Sequence, residues 1–151
     1  MVFISEMPLV ARGFISNLEP PVFENLSWVK PKDPKNRRIS IVSTAGIHNP
    51  NDKPYSWKAR NHRVFDKKDL NLVMSHVAVE YDRTAWQQDL NTILPTDRLN
   101  EMADRGEIGS VADKHYSFLG SSDPLDMKKS VDEVAGIMKQ EEVDTVFLIP
   151  I

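Results

Sequence analysis

Cysteine is absent from the 151 residues of this chain. A disulfide framework, a thiolate metal site and a cysteine nucleophile are therefore excluded within these residues, and the absence fits a reducing compartment. Long apolar runs are also missing. None approaches the ~20 residues that span a bilayer, and the first residues lack the basic and apolar regions of a secretory signal. We therefore expect a cytoplasmic protein with no membrane segment.

An excess of charge of one sign is likewise lacking. The chain has 19 Lys and Arg residues against 22 Asp and Glu residues, a formal net charge of −3, and the two signs are interspersed along the chain. Nucleic-acid-binding domains usually concentrate basic residues on one face, so we expect no nucleic-acid partner. Hydrophobic residues make up 40% of the chain, which suits one soluble domain with a substantial core.

Proline is concentrated early, since seven of the ten prolines lie in the first 54 residues. Each proline ring fixes φ and removes a hydrogen-bond donor, so this spacing excludes long helices there. Residues 1–37 are therefore predicted to form an extended, proline-rich arm. Its many large apolar residues indicate that the arm packs against a surface of this domain or of a partner, because disordered arms rarely carry so many.

Residues 38–151 alternate short β-branched runs with amphipathic stretches, as in a single domain. The sequence predicts strands over 39–43, 62–65, 72–76, 108–111 and 145–149. It predicts helices over 82–91, 96–105 and 124–140, with Asp82, Thr96 and Asp123 as N-terminal caps and Gly106 after the second helix. This alternation indicates an α/β fold with an open, mostly parallel, Rossmann-like sheet and flanking helices.

The last predicted strand, 145–149, is apolar on both faces, which is typical of a buried parallel strand. A central parallel strand normally continues into a crossover helix, yet here the sequence stops at Ile151. In open α/β sheets the carboxyl ends of the strands line the ligand crevice. We therefore expect a domain that is incomplete at its C-terminus and lacks the residues that carry its chemistry. A natural C-terminal strand is the alternative.

Three histidines are candidate catalytic residues. His48 and His76 lie at or just beyond the carboxyl ends of predicted strands, and His115 lies in a predicted loop. If those strands are neighbours, the imidazoles converge and suit acid–base chemistry near neutral pH. Histidines that bond to backbone groups at strand ends are the alternative. A metal site with a carboxylate such as Asp82 or Asp89 is a further possibility, although no pair of histidines has the spacing of a helical zinc motif.

Polar residues between 87 and 91 form a second candidate site. Asp89 and Asn91, with Asp82 nearby, are candidates for binding a zwitterionic substrate, and the alternative is a solvated short helix. His62 is predicted to lie on the surface. The glycine-bearing turns at 44–46 and 120–123 match no nucleotide-binding motif, so nucleotide binding has little support.

Several segments together carry a resemblance to a known family. They are 41–48 (IVSTAGIH), 74–77 (MSHV) with Asp82 and Arg83, 88–91 (QDLN), 95–99 (PTDRL), 106–113 (GEIGSVAD), 115–120 (HYSFLG) and 143–150 (VDTVFLIP). In this order and at these spacings they resemble the glycine/sarcosine/betaine/D-proline reductase selenoprotein B family over roughly residues 39–151.

The resemblance implies reductive cleavage of a C–N bond in glycine, sarcosine, betaine, D-proline or a related amine, in a hetero-oligomer with a pyruvoyl-bearing subunit. In that family selenocysteine, or cysteine in some members, follows the strand that matches 146–151. A selenocysteine codon is normally read as stop, so the resemblance implies a truncated, inactive chain without a cofactor or metal of its own. The histidines would be proton donors or cationic partners of the selenolate. A non-catalytic partner-binding module and a histidine–metal hydrolase or lyase are the alternatives.

Overall fold

A computed structural model of the chain describes residues 3–20, 22, 24, 28–69, 71–78, 83–120 and 122–151. Its helices are α1 Leu9–Ser16, α2 Thr84–Gln88, α3 Thr96–Asp104 and α4 Lys128–Gln140. Its strands are β1 Arg38–Ser43, β2 Ile47–His48, β3 Arg63–Asp66, β4 Val73–Met74, β5 Ser110–Val111, β6 Lys114–Ser117 and β7 Thr145–Ile149. None of the helices in the described ranges is long and apolar enough to cross a bilayer.

The arm contains one helix that the sequence did not predict. Pro8 immediately precedes α1, and the next proline is Pro20, which leaves room for the eight helical residues. Trp28 and Val29 of the arm are 82% and 80% exposed, so the arm does not bury them on this domain. Packing of the arm against a partner stays a prediction, and Phe23 and Leu26, which contributed to it, lie outside the described residues.

β1 is the centre of the main sheet. β7 runs parallel to it along one edge, from Ile39 paired with Thr145 to Ser43 paired with Ile149. β5 and then β6 run parallel to β1 on the other edge, and β3 is antiparallel to β6 at the outside. β2 and β4 form a separate antiparallel ladder. The open, mostly parallel α/β sheet that the sequence predicted is therefore confirmed.

β7 corrects one expectation. Its apolar residues predicted burial on both faces, but Val146, Phe147 and Leu148 are 41%, 44% and 66% exposed. β7 pairs with β1 along one edge, and in the described part of the chain no strand pairs with its other edge. The apolar composition of a strand shows that its side chains can be buried. Whether they are buried depends on the strands and helices that lie beside it.

The predicted helices are found with shorter or altered starts. α2 begins at Thr84, and its predicted cap Asp82 lies outside the described residues. Thr96 is the first residue of α3 and makes no side-chain cap bond, which corrects its predicted role. Gly106 has φ +69° just past α3, as predicted for a helix end. Asp123 Oδ1 accepts from the Leu125 amide at 2.9 Å, but a 3₁₀ turn precedes α4.

Alternate residues of the central strands point into two apolar layers. One layer contains Ile39 and Ile41 of β1 with Leu99 of α3. The other contains Tyr116 of β6 with Val134 and Met138 of α4. This alternation follows from the two-residue period of a strand, and it places helices on both faces of the sheet.

His115 lies inside the first of these layers. The sequence predicted a loop here, but His115 belongs to β6 and is fully buried. Its Nδ1 accepts a hydrogen bond from the Ile41 amide at 3.2 Å, so the proton of the neutral ring is on Nε2. Burial lowers the pKa of His115 to about 4, with a smaller contribution from Lys67. The ring is therefore neutral at pH 7.

This burial makes stability depend on pH in a defined direction. The folded-state pKa of about 4 lies below the ordinary value of 6.5, so the contribution of His115 to stability is full above pH 6.5. It is lost as the pH falls from 6.5 towards 4. Urea unfolding should show that the wild-type chain loses about 3 kcal/mol more than His115→Asn between pH 7 and pH 4. If both proteins lost the same unfolding free energy between pH 7 and pH 4, the pKa of His115 in the folded protein would not be lowered.

Candidate active site

The parallel strands β1 and β7 end at the same edge of the sheet. Thr44, the residue after β1, forms hydrogen bonds to the segments at the ends of β6 and β7. The Thr44 amide donates to the Ile149 carbonyl at 3.0 Å, and the Gly120 amide donates to the Thr44 carbonyl at 2.9 Å. The Thr44 hydroxyl accepts from the Ile151 amide at 2.9 Å and donates to the Ile151 carbonyl at 3.3 Å. One threonine therefore fixes the main chain at the end of β7.

Gly120 brings a histidine to this point. A Cβ added at Gly120 would lie 2.9 Å from the Ile151 carbonyl oxygen and 3.0 Å from His76 Nε2. Both distances are too short for a carbon atom, so only glycine allows the imidazole, the turn after β6 and the end of β7 to approach this closely. His76 thus lies beside the end of β7.

The protonation of His76 follows from its surroundings. His76 as a residue is 5% exposed, and its Nδ1 accepts from the Ala78 amide at 3.1 Å, so the neutral ring carries its proton on Nε2. Burial lowers the pKa of His76, and the nearby Arg83 lowers it further. Arg83 is held in place because its guanidinium donates to the His76 carbonyl at 2.9 Å. At neutral pH His76 is therefore an uncharged hydrogen-bond donor on the side of Nε2.

A cavity of about 390 Å³ adjoins the same strand end. Thr44, Gly120 and Ile151 contribute to its wall from the strand ends. Met127 and Val131 contribute from the segment that leads into α4 and from α4 itself. A largely apolar cavity with a few polar groups at one end is the usual form of a small-molecule site.

The other histidines lie in different surroundings. His48 is 3% exposed, its Nδ1 is 2.7 Å from the Asn49 carbonyl, and its ring makes an edge contact with Tyr55. His62, predicted on the surface, is only 15% exposed in its side chain and bonds to Ser130 Oγ at 2.7 Å. The three candidate imidazoles therefore occupy three environments: His48 lies beside Tyr55, His76 lies beside the end of β7, and His115 lies in the core. The catalytic roles of His48, His76 and His115 stay predictions.

Asp89 and Asn91 bond mainly to each other and to α3. Asp89 Oδ1 accepts from the amide and the side chain of Asn91, each at 2.9 Å, and these bonds lower the pKa of Asp89. Asn91 also donates to Asp97 Oδ2 at 2.9 Å. These contacts close the turn before α3. A substrate-binding role for the pair stays a prediction, as does that of Asp82, which lies outside the described residues.

Sequence reasoning did not single out Thr44 or Gly120 as site residues. Both belong to glycine-bearing turns that the sequence analysis discussed only for nucleotide binding, and their position within three residues of a strand end was the signal available. Their pairing depends on the order of the strands in the sheet, which the sequence does not specify. Within the described residues, no group of three metal-ligating side chains converges.

Gly120→Ala should destabilise the chain by about 1–3 kcal/mol, because the new methyl group would displace His76 or the end of β7. Gly136→Ala is the matched control. Gly136 lies in α4 with nothing within 4 Å of an added Cβ, so this change should stabilise the helix by about 0.5–1 kcal/mol. Urea unfolding of both variants measures the difference. An equal increase in the free energy of unfolding of both variants would contradict the close approach at Gly120.

Comparison with known proteins gives a consistent set of relatives. The family model of glycine/sarcosine/betaine reductase selenoprotein B matches residues 7–150, so the match includes most of the arm. The chain is 28% identical over 147 residues to the D-proline reductase subunit gamma of Acetoanaerobium sticklandii, covering 92% of this chain and 59% of that protein. It is 29% identical over 148 residues to the glycine reductase complex component B subunit gamma of Carboxydothermus hydrogenoformans.

A third relative is the betaine reductase complex component B subunit beta of Peptoclostridium acidaminophilum, 28% identical over 149 residues. The match covers 90% of this chain and 33% of the glycine reductase subunit, and 93% of this chain and 34% of the betaine reductase subunit. The chain therefore spans between a third and three fifths of the length of these relatives. No solved structure matches it. Since the family model covers nearly the whole chain, the chain belongs to the glycine/sarcosine/betaine reductase selenoprotein B family.

Proposed function

We propose that the chain is part of a reductase subunit that reductively cleaves the C–N bond of glycine, sarcosine, betaine, D-proline or a related amine. The observation that carries this proposal is the family match over residues 7–150. The relatives are named as subunits of D-proline reductase and of glycine and betaine reductase complexes, which favours a chain that works in a hetero-oligomer.

The proposal places the nucleophile directly after Ile151 in the full-length protein, as selenocysteine or cysteine. By the family resemblance, a pyruvoyl group on a partner subunit would withdraw electrons from the substrate. Attack of the selenolate or thiolate would form a bond from selenium or sulfur to carbon as the C–N bond breaks, and the nitrogen would leave as a protonated amine. The groups at the end of β7 fit a residue at that place. Thr44 holds both main-chain polar groups of Ile151, and Gly120 leaves the space beside the Ile151 carbonyl free of a side chain.

His76 then acts through its Nε2–H group. A neutral imidazole donates a hydrogen bond to an anion, and such a bond to a charged acceptor is stronger than one between neutral groups. The Arg83 guanidinium, bonded to the His76 carbonyl, adds a positive charge beside His76, and a nearby positive charge favours the anionic form of a selenol or thiol. This gives His76 the role of an anion-stabilising donor at neutral pH rather than that of a cation.

The cavity beside Thr44 and Gly120 would hold the substrate. Its volume of about 390 Å³ leaves room for a molecule as small as an amino acid, and Met127 and Val131 would supply apolar contacts to it. Residues 151 and 120 line the end of the cavity where the substrate and the nucleophile would meet.

Two other functions are the alternatives to the reductase. A non-catalytic module that binds a partner is favoured by the exposed apolar residues of the arm, such as Trp28. A histidine–metal hydrolase or lyase has no geometric support among the described residues, because no three ligating side chains converge. The cytoplasmic location is part of the proposal.

The coding sequence beyond the codon of Ile151 separates the reductase from the non-catalytic module. An in-frame TGA followed by further codons and a selenocysteine-insertion hairpin, or a cysteine codon, supports the reductase. An ordinary stop followed by noncoding sequence contradicts the proposed nucleophile.

Substitution of His76 in the full-length protein, assayed with its partner subunit, tests the donor role. His76→Leu removes the Nε2–H group and should lower kcat by about 10–100-fold, whereas His76→Gln keeps a donor and should recover part of this loss. His62→Gln, at a histidine bonded to Ser130 outside the site, is the control and should keep near-normal turnover. The pH profile of alkylation should also shift upward in His76→Leu, since the anion loses its donor. Normal turnover and an unchanged profile in His76→Leu would eliminate the role.

A further inference from the structure

A second cavity, of about 550 Å³, lies between the loop 53–63 and the segment 126–133. Five basic residues line it: Lys53, Lys58, Arg60, Arg63 and Lys129. We call this cavity the lysine cleft. Two acidic residues, Asp126 and Glu133, complete its charged lining, so five positive charges face two negative ones. The whole chain has a net charge of −3, so the cleft concentrates positive charge on a protein of the opposite sign.

The two arginines of the cleft already have partners. Arg60 Nε donates to Asp126 Oδ2 at 3.0 Å. The Arg63 guanidinium lies 4.9 Å from the centre of the Tyr55 ring and donates to the Lys53 carbonyl at 3.1 Å. Burial raises the pKa of Tyr55, whose hydroxyl donates to the Ser117 carbonyl at 2.8 Å. These bonds fix one wall of the cleft to the sheet.

The three lysines differ from the arginines. Within the described ranges, the ammonium groups of Lys53, Lys58 and Lys129 have no ion pair and no hydrogen bond, and all three residues are exposed. Other lysines are neutralised, for example Lys67 by Asp113 at 2.6 Å and Lys114 by Glu141 at 3.0 Å. The positive potential of the cleft therefore comes mainly from three lysines without an ion pair among the residues that the structure describes, and Glu133 in the lining offsets only part of it.

The form of the cleft favours an extended ligand. Sites for small oxyanions usually use arginine forks or converging backbone amides, but both arginines here are occupied by protein oxygens. Lysine ammonium groups act as separate point charges, which suit a row of carboxylates along a chain. Trp57, 66% exposed between the lining residues Ser56 and Lys58, adds the kind of aromatic side chain that is enriched in protein interfaces.

We infer that the lysine cleft binds an acidic polypeptide segment of a partner subunit, with Lys53, Lys58 and Lys129 contacting its carboxylates. The relatives named as components of reductase complexes make a protein the appropriate class of ligand. The cleft is separate from the cavity at the end of β7, so this inference does not depend on the proposed nucleophile. Charge complementarity of this kind mainly raises the association rate and confers specificity, and salt weakens it.

The test uses a fluorescein-labelled oligoglutamate peptide and measures its binding to the purified chain by fluorescence anisotropy at low ionic strength. The triple variant Lys53→Glu, Lys58→Glu and Lys129→Glu should weaken binding about tenfold or more. The matched control reverses Lys35, Lys68 and Lys139 to Glu. These lysines are exposed and unpaired in the described part of the chain, and they lie outside the cleft, so the net charge changes equally. The control should stay within about twofold of wild type.

Three outcomes would overturn the inference. The first is no binding of the peptide to the wild-type chain. The second is an equal loss in the two triple variants, which would reflect only net charge. The third is displacement of the peptide by inorganic phosphate but not by sodium chloride of the same ionic strength, which would indicate a small-oxyanion site. Circular dichroism of each variant verifies the fold, and Lys→Gln versions of both triple variants replace any that fail to fold.

Discussion

The parallel pairing of β1 with β7 is the interaction on which the candidate site depends. The five paired residues place Ser43 opposite Ile149. The next residue along β1 is Thr44, whose amide continues the ladder by donating to the Ile149 carbonyl. The side chain of Thr44 can then reach both polar groups of the Ile151 backbone. A shift of one residue in this register would turn every β7 side chain to the other face and separate Thr44 from Ile151.

The same ladder determines which histidine lies in the site. β6 also pairs with β1, and the chain that leaves β6 reaches Gly120, against which the imidazole of His76 lies. His115 lies within β6 itself, where it is fully buried and accepts a hydrogen bond from the Ile41 amide. His48 lies on β2, in the separate ladder, with its own partners. Sheet order therefore distributes three similar residues over three chemical environments.

Much of the fold could be predicted from local patterns. The β-branched run at 39–43 and the apolar face of 128–140 are strong signals, and both elements were predicted close to their observed bounds. The exposure of β7 could not be predicted, because it depends on which strands lie beside it. The site was predicted in part: the position of His76 after a strand was recognised, but its approach to Ile151 through Gly120 depends on contacts far apart in the sequence. The bonds of Asp89 to Asn91 close a local turn of the kind that aspartate side chains commonly form, whereas the alternative given for this segment was a solvated short helix.

One edge of β7 has no paired strand among the described residues, and this has a consequence for the behaviour of these residues in solution. Its five residues carry no charge and no proline, which is the composition of segments that add to strands of other molecules. The two residues that flank the strand differ in their effect on such strand addition. Asp144 places a carboxylate immediately before the strand, where it bonds to Lys32 and to the Arg38 amide. Pro150 follows the strand and has no amide to donate. Pro150 therefore ends the row of main-chain donors at the carboxyl end of β7, whereas the carboxylate of Asp144 is neutralised by Lys32 at the other end.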